Sequence, residues 1–189
     1  GDGQYKESPL VHEQVEKGEL PPIEERLPKE PAVVEVDEIG AYGGTYVGAA
    51  FGPSSGQVDT EGLRFQSLLT IEKDLKTFKP NLIQSYEINE DSTRFTIHLR
   101  EGMKWSNGDD LTTDDWMFWY TDILTNTDVN PSVEAAYCSN GKPMVYEQID
   151  PYTLDIVFEE PNPAFEITMA RYATNIIRTF FAPKEYLKQ

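Results

Sequence analysis

Apolar and polar residues alternate most regularly between Arg94 and Arg100, where Phe95, Ile97 and Leu99 are separated by Thr96 and His98. A period of two sets one row of side chains against a core and the other towards water, the pattern of a half-buried strand. Ser85-Tyr86-Glu87-Ile88 precedes it, and Asn89-Glu90-Asp91-Ser92 between the two has turn composition, so the segments are predicted to pair as a hairpin. Gly102 breaks it, and Ser106-Asn107-Gly108-Asp109 makes a second tight turn. The period then changes. Trp116, Trp119, Tyr120, Ile123 and Leu124 fall at i, i+3, i+4, i+7 and i+8, one continuous face of a helix. Thr112 or Thr113 is its predicted cap, and Asp114 and Asp115 favour the positive end of its dipole. Leu154, Ile156 and Phe158 alternate again as a strand. Asn162-Pro163 opens another helix, with Ala164, Phe165, Thr168, Met169, Tyr172 and Ala173 on one face. Ile176-Ile177 and Phe180-Phe181 read as a buried strand running into Pro183, whereas Ala135 to Tyr146 is ambiguous.

The first third has weaker patterning. Ser8-Pro9 is a helix start, with a hydroxyl cap and Pro at the first helical position, and Gly18 stops the helix. Pro21, Pro22, Pro28 and Pro31 then favour extended backbone. Residues 1–40 therefore read as a short helix plus a strap over a domain surface. Thr45-Tyr46-Val47 between glycine pairs reads as a strand, Gly52-Pro53-Ser54-Ser55-Gly56 as a loop, and Thr60 to Leu69 as a short helix. Strands and helices are interspersed without a sustained βαβ spacing, which favours an α+β fold with a hairpin-containing sheet.

Charge narrows the function classes. Sixteen Lys and Arg face 33 Asp and Glu among 189 residues, a net charge of −17. Nucleic-acid binding relies on clustered cations, so no nucleic-acid partner is expected. An anionic membrane surface is disfavoured as a direct partner for the same reason. No apolar run approaches the ~20 residues of a membrane-spanning helix. The lone Cys138 cannot form an internal disulfide.

Catalytic devices are hard to find. Only His12 and His98 could serve a nucleophile, and neither neighbours a Ser or Cys motif. Phosphate-cradling glycine motifs are missing, and Cys and His are too few for a zinc site. Asp109, Asp110, Asp114 and Asp115 form the densest carboxylate cluster; a solvated acidic surface accounts for them better than calcium does. Asp128-x-Asn130-x-Ser132-x-Glu134 lacks the turn glycine and late bidentate Glu of a calcium loop. The Trp116–Leu124 stripe could be a ligand platform, but that spacing is what burial demands, and a core stripe is the better reading. Neither enzyme activity, a metal nor a cofactor is expected.

Residue order adds what physics does not. Pro80-Asn81-Leu82-Ile83-Gln84-Ser85-Tyr86 leads into the hairpin, and Leu99-Arg100-Glu101-Gly102-Met103-Lys104-Trp105-Ser106-Asn107-Gly108 follows. A second block runs Ile149-Asp150-Pro151-Tyr152-Thr153-Leu154, then Glu160-Pro161-Asn162-Pro163-Ala164-Phe165, then Ala182-Pro183-Lys184-Glu185-Tyr186-Leu187. Over about residues 41–188 these resemble the family 5 extracellular solute-binding proteins, the oligopeptide and dipeptide-binding components of ABC importers.

The resemblance implies a type II periplasmic-binding-protein-like fold. Residues 1–40 would be an N-terminal helix and proline-rich strap, 41–66 the start of lobe one, 67–175 a subsidiary α/β domain and 176–189 a return into lobe one. Family members are much longer, so the chain is expected to be an N-terminal fragment without the second lobe, with an exposed apolar patch where other parts would pack. The Leu99–Trp105 block would be scaffold. Ligand contacts would come from the loop Ala49, Ala50, Phe51, Gly52 and Pro53, and from Ser132 and Val133, where Ser132 stands at a position often aromatic in peptide binders. The implied partners are a peptide or other small solute and ABC permease subunits, with the intact protein a monomer. The implied place is extracytoplasmic, in the periplasm or lipid-anchored at the outer face of the membrane. An oligosaccharide-binding transporter component is the alternative within this class; a carboxylate-based hydrolase or a protein-interaction module are alternatives outside it.

Overall fold

A computed structural model describes residues 5–48, 52, 64–171 and 175–189. Its centre is a four-stranded antiparallel sheet in the order Ile83–Ile88, Arg94–Leu99, Thr153–Val157 and Val145–Asp150. Strands β3 (Ile83–Ile88) and β4 (Arg94–Leu99) form the predicted hairpin. The Asn89 side-chain oxygen accepts from the Thr93 and Arg94 amides at 2.9 Å each, which closes the turn. Strands β7 (Val145–Asp150) and β8 (Thr153–Val157) form a second hairpin, and β8 pairs with β4. Two small ribbons flank the sheet: β1 (Leu69–Ile71) with β2 (Phe78–Pro80), and β5 (Cys138–Ser139) with β6 (Lys142–Pro143).

The period-two pattern of β4 becomes the core. Phe95, Ile97 and Leu99 are buried, as are Leu154 and Ile156 of β8 across the ladder. Phe95, Phe158 and Phe165 meet edge to face with ring centroids 4.8–6.0 Å apart, the geometry that aromatic quadrupoles favour. On the other side of β8, Asp155 is buried and satisfied by Thr96 Oγ1 at 2.6 Å and by Arg94.

The short helices are α1 (Pro9–Glu16), α2 (Ile23–Arg26), α3 (Thr113–Phe118), α4 (Phe165–Met169) and α5 (Lys184–Leu187). Ser8 caps α1 as predicted, and Gly18 follows at φ +71°. Thr112 caps α3 through a capping box with Asp115, and the helix continues as a π-helical turn over Trp119–Leu124. Trp116, Trp119, Ile123 and Leu124 of the predicted stripe are buried against the sheet, and Tyr120 stacks on Tyr146 at 5.2 Å. The stripe is core, not a ligand platform.

Three predicted elements differ. Thr45-Tyr46-Val47 is not a strand: it pairs with no strand among the described residues, and Tyr46 and Val47 are exposed. Within the predicted Thr60–Leu69 helix, residues 60–63 lie outside the described residues, and Leu69 opens β1. The Ile176–Phe181 run is not a strand either; Ile176–Arg178 is a 3-10 turn. Its carbonyls are taken by aromatic donors from the core: Trp119 Nε1 donates to Ile176 O at 2.7 Å, Tyr137 OH to Arg178 O at 2.8 Å and Tyr146 OH to Phe180 O at 3.3 Å. Side chains, not a neighbouring strand, satisfy this backbone.

The strap touches the body at residues 28–30. Lys29 N donates to Glu101 O at 2.9 Å, and an Arg100 terminal nitrogen donates to Glu30 O at 2.8 Å. Gly102 sits beneath it at φ +86°, a conformation glycine adopts without steric cost. Further along, Val33, Val34, Val36, Ile39, Tyr42, Tyr46 and Val47 expose their side chains.

Candidate functional site

The loop after the π turn is anchored at both ends. Asn130 is buried, and its side-chain amide donates to Leu124 O at 2.8 Å, closing the end of the turn. Pro131 and Ser132 then lie exposed, and Val133 is half-buried against the core. Glu134 opens a 3-10 turn over Ala135–Tyr137, which drives the Tyr137 ring between Trp119 and Phe180, each centroid 5.7 Å away. Burial pushes the Tyr137 phenol up to about 12, so its hydroxyl stays a donor to Arg178 O.

That hydrogen bond brings a second segment to the loop. The Asn175 side chain caps the Ile176–Arg178 turn, accepting from the Ile177 and Arg178 amides at 3.1 and 3.2 Å. Arg178 Nε then donates to Glu134 Oε1 at 2.7 Å, and an Arg171 terminal nitrogen lies 4.0 Å from Glu134 Oε2. A cavity of about 60 Å³ opens beside this cluster, lined in part by Gln66, Ser67, Arg171, Arg178, Thr179 and Phe181. Cys138 is not a reactive group here: its thiol donates to Glu134 O at 3.4 Å, and burial pushes its pKa up.

Of the predicted contact residues, Ser132 and Val133 therefore stand immediately before Glu134, at the edge of a polar cluster. Gly52 is half-buried. Ala49, Ala50, Phe51 and Pro53 lie outside the described residues. The sequence reading set Glu134 aside with the rejected calcium pattern and missed Arg171 and Arg178. Glu134 and Arg178 are 44 positions apart, and the only local signal was the Asn175 cap.

The acidic cluster needs one correction. Asp109, Asp110 and Asp114 are exposed, with Asp110 paired to Lys104 at 2.5 Å and Asp114 to Lys184 at 3.2 Å. Asp115 is buried instead. Its Oδ2 accepts from Thr112 N at 3.1 Å and Trp105 Nε1 at 3.2 Å, and its Oδ1 accepts from Lys184 N at 3.0 Å. It ties the signature turn, α3 and the C-terminal segment into one unit. Trp105 of the Leu99–Trp105 block is thereby part of this unit.

The arrangement offers hydrogen-bond donors and an acceptor on a rigid base beside an apolar wall, which suits reversible binding of a polar solute. A periplasmic alpha-galactoside-binding protein of Rhizobium meliloti (strain 1021) is 33% identical over 90% of this chain and 28% of its own length. An oligopeptide-binding protein OppA superposes with a TM-score of 0.83 at 34% identity, over 99% of this chain and 28% of that one. The periplasmic binding protein MelB of Agrobacterium fabrum C58, solved with stachyose, gives 0.59 at 27% identity, over 95% of this chain and 34% of that one. The chain thus spans about a third or less of the length of these relatives. Residues 77–188 match the model of the middle segment of the bacterial extracellular solute-binding proteins, family 5, and the chain belongs to that family.

Proposed function

We propose that this chain is part of the substrate-binding component of an ABC importer, which captures extracellular oligopeptides or similar solutes. The observation that carries the reading is the match of the whole fold to an OppA structure, with a TM-score of 0.83 over 99% of the chain. Residues 67–175 act as the subsidiary domain, with 41–66 and 176–189 contributing to lobe one and 1–40 forming the strap. Ser132 and Val133 contact the solute, together with the 49–53 loop. Solute binding favours a closed arrangement of two lobes, and permease subunits recognise that state. The intact protein works as a monomer outside the cytoplasm, in the periplasm or lipid-anchored at the outer face of the cell membrane.

A second reading keeps the mechanism and changes the cargo to an oligosaccharide. It is favoured by the alpha-galactoside-binding relative and by MelB, whose structure holds stachyose. A thermal-shift screen of the intact protein separates the two, because a ligand that binds only the folded state raises the melting temperature. Short peptides that raise it support the first reading, and stachyose the second. No shift with either class overturns the importer reading.

A further inference from the structure

Resting on the solute-binding reading, we propose that Arg178, Arg171 and Glu134 form a subsite for a carboxylate group of the bound solute. Two guanidinium groups share one carboxylate there. Glu134 engages Arg178 through Nε, and among the described residues no other side chain takes the two terminal nitrogens, which present a fork to a planar acceptor. The three side chains carry a local charge of +1 within a chain of net −17, which favours an anionic group here.

The base of the subsite is rigid. Arg178 is held on both sides: Tyr137 OH donates to its carbonyl, and its amide donates to the Asn175 side chain. Trp119 fixes Ile176 in the same turn. Such bonds fix the backbone that carries Arg178, and Glu134 Oε1 positions the guanidinium itself through Nε, which lowers the entropy cost of binding. The adjoining cavity of about 60 Å³ is roughly twice the share of one water molecule in the liquid. It has room for a small planar group. The Ser67 and Thr179 hydroxyls at its wall already donate to Leu69 O and Ile176 O, so the guanidinium groups supply the donors.

A peptide C-terminus and an acidic sugar both carry this chemistry. The test is isothermal titration of the intact protein with four probes: tripeptides with free C-termini, the same tripeptides as C-terminal amides, a uronic-acid oligosaccharide, and neutral stachyose. The expected result is binding of the free-acid peptides or the uronic oligosaccharide. Amidation should weaken peptide binding about tenfold or more. Arg178→Ala should remove the preference for the charged form, and Arg178→Lys should restore only part of it. Unchanged melting of the unliganded variants shows that the scaffold is intact, and Arg171→Gln serves as the second variant should Arg178→Ala fail to fold. Binding of stachyose alone, or an unchanged preference for the carboxylate in a folded variant, overturns the subsite and leaves solute binding standing. Failure of the wild-type protein to bind any of the four overturns both.

Discussion

Replacing Asp115 with Ala should cost more than any other change to an acidic residue of this chain. The carboxylate accepts three hydrogen bonds, from Thr112 N, Trp105 Nε1 and Lys184 N. A hydrogen bond to a charged acceptor contributes about 1.5–3 kcal/mol net when buried, and a lost capping interaction about 1 kcal/mol. The three donors sit in half-buried residues, so water reaches some of them after the substitution. The cost then comes to about 3–4 kcal/mol. Asp115→Asn keeps one oxygen and turns an amide towards the remaining donors, for a loss of about 2 kcal/mol. Urea denaturation followed by tryptophan fluorescence is the assay, since Trp105, Trp116 and Trp119 are the three tryptophans of the chain and Trp105 donates to Asp115 directly. A slope of about 2 kcal/mol/M moves the midpoint by about 1.5–2 M for Asp115→Ala. Loss of less than about 1 kcal/mol in both variants would refute the claim that this carboxylate joins the three segments.

The two core indoles should respond differently, because Trp119 Nε1 donates to Ile176 O whereas Trp116 Nε1 has no partner among the described residues. Trp119→Phe is therefore expected to destabilise by about 1 kcal/mol more than Trp116→Phe in the same urea assay. Alkaline pH should also destabilise the chain. Tyr137 holds its proton up to about 12 when folded, so above the ordinary phenol value near 10 the unfolded chain binds fewer protons. Stability then falls as pH rises through that window, and Tyr137→Phe should flatten the slope in pH-dependent melting. Gly102→Ala should cost about 1–2 kcal/mol, since the added Cβ is strained at φ +86°. Faster proteolysis within residues 19–48 would accompany it, because the turn supports the strap.

Local signals foretold local structure well. The β3–β4 hairpin, the Thr112 cap and the β8 strand follow from alternation, turn chemistry and a hydroxyl at the right place. Period analysis located the Trp116–Leu124 face but not its π turn, because the buried set fits either geometry. The Ile176–Phe181 error has a different origin. An apolar run reads as a strand until something else claims its carbonyls, and here Trp119, Tyr137 and Tyr146 claim them from 34 to 57 positions away. Asp115 looked like its exposed neighbours because composition does not record which carboxylate faces inward. At the candidate site, the resemblance pointed to Ser132 and Val133, whereas the Glu134–Arg178 pair is a product of tertiary folding and left no trace in spacing.

The most direct measurement is calorimetric titration of the intact protein, set beside the same titration of this 189-residue chain. The account predicts one peptide or oligosaccharide bound per intact molecule at micromolar affinity or tighter, and much weaker binding by the chain alone, which spans 28% of the OppA relative. Equal affinity in both, or no binding by the intact protein to either solute class, would contradict it.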